Sequence, residues 1–259
     1  MEKTWLDECK LYNDDSLKRG LFNRPFADLI VTSPPYNIGL DYNANNAFTD
    51  NLTYEDYLRF STIWLENSFA WAKSQCRLCV NVSPTITMKN KEAYPAGADI
   101  TALAIKAGWK YKTTIIWHLW KKKFSNAMGS FNSAASPAIF SPCEYIIVFY
   151  KEQWKKTHGS KKSDMENLEF MSWVKGLWKF DDSHIPTEHP GVFPPELPYR
   201  CIKLFSFVGD TVFDPFAGTG TTLYKAIQTG RKAVGVEIDK KYYELAKKII
   251  AAESPVLFK

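Results

Sequence analysis

Val212-Phe213-Asp214-Pro215-Phe216-Ala217-Gly218-Thr219-Gly220-Thr221-Thr222-Leu223 reads as a buried strand, a tight glycine turn and the first turn of a helix. Two apolar β-formers run into an Asp-Pro break, and Gly218 and Gly220 supply backbone that turns sharply and lets a ligand approach. The helix start behind them offers unpaired N–H groups and the positive end of a helix dipole, a setting for a carboxylate or phosphate. The next strand signal, 233–237, ends on Glu237, 17 residues beyond Gly220. An acid there can accept hydrogen bonds from both hydroxyls of a ribose. Strand, glycine turn, helix, strand and acid together are one half of a doubly wound α/β fold built around a nucleotide-like ligand.

Two other ligand loops use similar glycines, and each lacks a residue here. A dinucleotide fingerprint wants a third glycine where Leu223 stands, and a P-loop wants lysine where Thr221 stands.

Working outward, 29–32 is a short apolar run broken by Ser33-Pro34-Pro35, so it reads as a buried strand whose carboxyl end delivers Tyr36 into a loop. Open α/β sheets bind ligands at that end. Residues 54–73 carry apolar positions at helical spacing between charges, and 100–106 also reads as helix. Strands are expected at 78–82, 113–117, 145–150 and 211–213, and helices at 195–206, 221–229 and 240–252. Alternation of this kind predicts a mostly parallel central sheet in a single domain spanning 1–259. Segments 119–142 and 151–188 lack clean periodicity and exceed ordinary connections, which makes them the expected insertions and the expected recognition elements.

A chain of 259 residues with 45% apolar and 15% aromatic content can bury one sizeable core. No run approaches the roughly 20 apolar residues of a spanning helix, and the amino terminus carries mixed charge rather than a signal core, so a soluble, cytoplasmic protein is expected. Five scattered cysteines fit a reducing compartment. Cys76-Arg77-Leu78-Cys79 has the spacing of half a zinc site, but no second CxxC or HxxxH completes it, and no metal is expected. The net charge of +5 is mild, yet lysines cluster at 121–123 and across 151–162. A lysine run is ordinarily a solvated face; next to a site that binds a nucleic-acid base it becomes a candidate phosphate contact.

Thr32-Ser33-Pro34-Pro35-Tyr36 early in the chain and Asp214-Pro215-Phe216-Ala217-Gly218-Thr219-Gly220 late in it resemble the two signature motifs of the amino-directed DNA methyltransferases that use S-adenosylmethionine. Their order is similar to the circularly permuted β class, in which the catalytic motif precedes the cofactor motif. The resemblance covers nearly the whole chain apart from the two insertions. It implies a Rossmann-like methyltransferase fold and S-adenosylmethionine as cofactor, held by Asp214, Phe216, Gly218, Gly220, Thr221, Thr222 and Glu237. His189 to Pro198 is similar to the motif that closes over the methionine moiety, which adds Phe193 and Leu197. Leu11 to Leu17 is similar to the element whose aspartate approaches the adenine amine; Asp15 matches that aspartate, while Asp14 stands where glycine is usual.

The resemblance makes Ser33, Pro34, Pro35 and Tyr36 the catalytic motif. Methyl transfer to an exocyclic amine needs no protein nucleophile: the amine attacks in line, and the enzyme aligns it and accepts its hydrogen bonds. Ser33 Oγ and the Pro34 carbonyl are the acceptors, proline keeps the loop stiff, and Tyr36 stacks on a base flipped from duplex DNA. In this family serine in first position is more typical of cytosine N4 and aspartate of adenine N6; Asn37-Ile38-Gly39 also occurs in adenine enzymes, so both bases stay open with cytosine N4 ahead. Lys121, Lys122, Lys123, Lys155 and Lys156 are the candidate phosphate contacts, and Asn126, Ser130, Asn132 and Ser133 the candidate base readers. Trp173, Trp178 and Phe180 read as packing. The family implies double-stranded DNA as partner, often a homodimer, and a role beside a restriction endonuclease or alone. An RNA or protein-glutamine amino methyltransferase, a nicotinamide-dependent oxidoreductase and a DNA-binding module on an inactive methyltransferase fold are the rival readings.

Overall fold

The computed structural model describes residues 8–39, 50–88, 92–119, 129–130, 132–137, 139, 141–157, 159–180 and 193–254. Among them the strands are β1 (Cys9–Asn13), β2 (Ala27–Thr32), β3 (Ala72–Val82), β4 (Ile86–Thr87), β5 (Ala93–Tyr94), β6 (Lys110–His118), β7 (Cys143–Tyr150), β8 (Leu177–Lys179), β9 (Thr211–Asp214) and β10 (Lys232–Glu237). The helices are α1 (Tyr54–Trp71), α2 (Ala96–Lys106), α3 (Asn167–Trp173), α4 (Glu196–Phe205), α5 (Thr221–Gln228) and α6 (Lys240–Glu253). One sheet takes the order β1-β10-β9-β2-β3-β7-β6-β8, with β4 and β5 a separate small ribbon. Its pairings are parallel except those of β7, which runs antiparallel to both β3 and β6.

β2 shows why the sheet is covered on both faces. All six of its residues are buried, with Leu29 and Val31 in the layer formed by α4, α5 and α6, and Ile30 in the layer formed by α1 and α2. A strand that is apolar on both sides has no solvent face, and each such side chain contributes about 1.5–3 kcal/mol of burial. Cys76 and Cys79 of β3 fall on opposite faces of the sheet, one in each layer. Their CxxC spacing belongs to a strand, where residues three apart point away from each other, and the two thiols cannot share a metal.

The expected elements are present, with shifted ends. Helix α1 begins after Thr53, whose hydroxyl accepts from Asp56 N, and stops at Trp71; the chain turns directly into β3, so Lys73 lies in a strand. Strand β1, helix α3 and strand β8 were not anticipated. β8 is only three residues long but carries Trp178, which with Trp173 packs in the core as expected of those aromatics.

The two expected insertions part ways. Segment 119–142 leaves the carboxyl end of β6 and returns at the start of β7, on the ligand-binding side; 120–128 lies outside the described residues. Segment 151–180 instead runs across the opposite end of the sheet. Lys151 Nζ donates to the carbonyls of Phe69 and Ala72, and Arg77 lies 4.5 Å from the Trp154 ring centre while donating to Trp154 O and Phe205 O. The chain then climbs through α3 to add β8 as the sheet edge. Through residue 180 the described part of this segment packs against the amino end of the sheet and supplies its edge strand, and 181–188 lies outside the described residues.

Candidate active site

From β2 the chain moves on to β3 on one side, whereas β9 flanks β2 on the other. The strand order reverses at this pair, and such a switch point opens a crevice at the carboxyl ends. The two sequence motifs occupy it: Ser33 to Tyr36 follow β2, and Pro215 to Gly220 follow β9. A buried hydrogen bond joins them, from Thr32 Oγ1 to Asp214 Oδ1 at 2.8 Å. Asp214 also accepts from Thr222 Oγ1 at 2.7 Å and from Phe216 N at 3.0 Å. Burial pushes its carboxyl up to about 6, partly offset by the Thr222 and Thr32 hydroxyls. Both Asp214 oxygens are engaged inside the protein, so this residue shapes the glycine turn and ties it to β2.

Gly218 and Gly220 both have positive φ, 51° and 83°, a conformation that favours glycine. A Cβ on Gly220 would meet Ile250 Cδ1 of α6 at 3.0 Å, so this glycine serves helix packing. Glu237, at the end of β10, accepts from Gly218 N at 2.8 Å and from Asp239 N at 2.8 Å. Burial raises its carboxyl to about 7, with those two N–H groups opposing the shift. Asn13 pairs with Glu237 in register and brings Asp15 to the same rim. One oxygen of Asp15 accepts from Leu17 N at 2.8 Å, closing a turn where no helix forms. Phe216 is half-buried beside Phe60 and Trp64, at 5.7 Å from each ring centre. Thr221 is buried, Phe193 is half-buried against the core, and Leu197 lies fully inside it.

On the catalytic side Pro34 is buried and Ser33, Pro35 and Tyr36 are half-buried. Ser33 Oγ donates to Tyr36 Oη at 3.2 Å, and Tyr36 Oη donates to Glu144 Oε2 at 3.0 Å. Asn81 Nδ2, at the end of β3, donates to the same carboxylate oxygen at 2.9 Å. Burial first, and then the Glu144 charge, hold the Tyr36 phenol well above its ordinary pKa. The loop beyond is pinned by Asp50, which accepts from Asn37 N at 2.7 Å and Ile38 N at 3.1 Å, while Asn37 exchanges two bonds with Leu52. Asn37 takes φ 58° there. Neither Glu144 nor Asp50 carries a motif, and the sequence reading passed over both.

The lysines behave differently from expectation. Lys121, Lys122, Lys123 and Asn126 lie outside the described residues, whereas Ser130 is half-buried and Asn132 and Ser133 are exposed in the connection between β6 and β7. Lys156 is a correction. Its ammonium bonds to Asp210 Oδ2 at 2.7 Å and to Asp28 O at 3.0 Å, at the amino end of the sheet. Lys155, its neighbour in sequence, is exposed.

Residues 27–248 match the N6/N4 DNA methylase family. The chain belongs to that family and is a DNA methyltransferase of the amino type. It is 42% identical over 181 residues to the Type II methyltransferase M.MjaVI of Methanocaldococcus jannaschii, spanning 69% of this chain and 89% of that protein. The putative DNA modification methylase TTHA0409 of Thermus thermophilus, solved in complex with S-adenosyl-L-methionine, superposes with a TM-score of 0.74 at 31% identity, covering 95% of this chain and 94% of the other. The PvuII cytosine-N4-specific DNA methyltransferase shares the fold at 17% identity, with a TM-score of 0.71 over 97% of this chain and 93% of that one. At this end of the sheet the methyltransferase brings together a positive-φ glycine turn at a helix start, the Glu237 carboxylate and the half-buried Phe216 ring. Among the described residues no helix is long and apolar enough to cross a membrane.

Proposed function

We propose that the methyltransferase transfers a methyl group from S-adenosylmethionine to cytosine N4 within a short sequence of double-stranded DNA. The observation that carries this reading is Ser33 at the end of β2, its hydroxyl proton engaged by Tyr36 and its oxygen lone pairs free for an amine. The serine also follows the family tendency for cytosine. S-adenosylmethionine supplies an activated methyl on a sulfonium. Ser33 Oγ and the Pro34 carbonyl accept from the target amine and turn its lone pair toward that methyl. Tyr36 offers its ring as the stacking face, a contribution of about 1–3 kcal/mol for a flipped base. Glu237, Phe216, Gly218, Thr221, Asp15 and Phe193 surround the cofactor, with Asp214, Thr222, Gly220 and Leu197 behind them. Segment 119–142, on the ligand side, reads the sequence through Ser130, Asn132 and Ser133, with Lys121, Lys122 and Lys123 contacting phosphates.

Nucleoside mass spectrometry on unmethylated DNA incubated with the protein and isotopically labelled S-adenosylmethionine tests the base. Labelled 4-methylcytosine supports the reading, and labelled N6-methyladenine refutes it. Ser33→Ala is expected to lower kcat about tenfold with cofactor affinity unchanged, the loss of one hydrogen bond to the reacting amine. Unchanged turnover would remove Ser33 from the reaction.

A further inference from the structure

We infer that Glu144 is a positioning residue that sets the direction of the hydrogen bonds in the catalytic motif and thereby makes Ser33 an acceptor for the target amine. An ionised carboxylate can only accept. Glu144 Oε2 takes bonds from Tyr36 Oη at 3.0 Å and Asn81 Nδ2 at 2.9 Å, so the phenol proton is committed to Glu144. The Tyr36 oxygen is left with lone pairs, one of which receives the Ser33 hydroxyl proton at 3.2 Å. Ser33 Oγ then has lone pairs alone to present to the substrate. A free serine hydroxyl could rotate and point its proton at the amine, where it would repel the N–H groups it must receive. The same contact anchors the phenol tip and so fixes the plane of the ring on which the base stacks.

Three strands build this device. Ser33 and Tyr36 follow β2, Asn81 lies in β3, and Glu144 lies in β7, the strand that runs against its neighbours. Its reversed direction brings the start of β7, just after segment 119–142, to the carboxyl ends of the parallel strands. Glu144 is thus where a target-reading segment meets the catalytic motif.

The inference rests on amino methyl transfer and holds for either base. Its test compares Glu144→Ala, Glu144→Gln and Tyr36→Phe under single-turnover conditions, alone and with Glu144→Ala combined with Tyr36→Phe, while cofactor affinity is measured in parallel. Glu144→Ala is expected to slow methyl transfer about tenfold with cofactor affinity unchanged. Glu144→Gln, whose amide oxygen still accepts from Tyr36 and Asn81, should restore the rate to within about threefold of the parent. In the Tyr36→Phe background the alanine change should add nothing, because the chain is already cut. A parent rate in Glu144→Ala, equal losses in the alanine and glutamine variants, or a loss that persists in the Tyr36→Phe background would each overturn the assignment. Absence of methylation by the unaltered protein would instead refute the underlying reaction.

Discussion

The two ends of the central sheet bury the same kind of group under opposite conditions. At the amino end Asp210 is fully buried between two ammonium groups, Lys156 at 2.7 Å and Lys161 at 2.6 Å. Burial alone would raise its pKa, but the lysines and the Phe207 N–H outweigh it, and the carboxyl sits below its ordinary value. At the carboxyl end Asp214 and Glu237 are buried with, among the described residues, only hydroxyl and N–H partners, and their pKa values rise to about 6 and about 7. One end is closed on itself. Among the described residues the other holds its carboxylates without a cation beside them, which leaves burial to dominate their pKa values.

The largest test of this contrast is Asp210→Ala. It leaves Lys156 buried without a counter-charge and is expected to cost about 3–5 kcal/mol of stability in denaturant unfolding. The folded fraction should bind S-adenosylmethionine normally; a large loss of affinity would break the division between the ends.

Next in size is Glu237→Gln, which weakens the acceptor offered to the ribose. A loss of about 1.5–3 kcal/mol of cofactor affinity by calorimetry is expected. In the parent protein the same bond requires the ionised carboxylate. With Glu237 raised to about 7, affinity should fall as pH drops through 7, by about tenfold at pH 6. The stability of the cofactor-free protein should move the other way at this site. A raised carboxyl contributes most below its unfolded value and loses that contribution as pH rises through 7, whereas Asp210 contributes above its unfolded value and loses it in acid.

The smallest expected effect is that of Lys155→Ala on DNA binding. At the closed end it should change neither affinity nor its salt dependence beyond about 0.5 kcal/mol. A reduced salt slope would bring DNA around to that end.

The sequence made the cofactor half legible because its information is local. Asp214 to Thr222 is one strand–turn–helix, and Glu237 closes the very next strand. Ser33 to Tyr36 was legible for the same reason. What escaped was long-range. Glu144 meets Tyr36 across 108 positions of sequence, inside an apolar strand whose first residues carry no motif. Lys156 looked like a free cation because Asp210 lies 54 positions away. The reversal of β7 has no signature in a run of apolar residues, and β1 and β8 are short edge strands, each burying a single side chain, too few for a periodic pattern.

The bond between Thr32 and Asp214 fixes a dimension. It spans neighbouring strands, whose spacing is about 4.8 Å, and both partners are buried, so the ends of β2 and β9, and the two motifs that follow them, cannot drift apart separately. The crevice is a jig of set gap. On the proposed reaction, whatever travel is needed would fall to the substrate rather than to the two strands that carry the motifs.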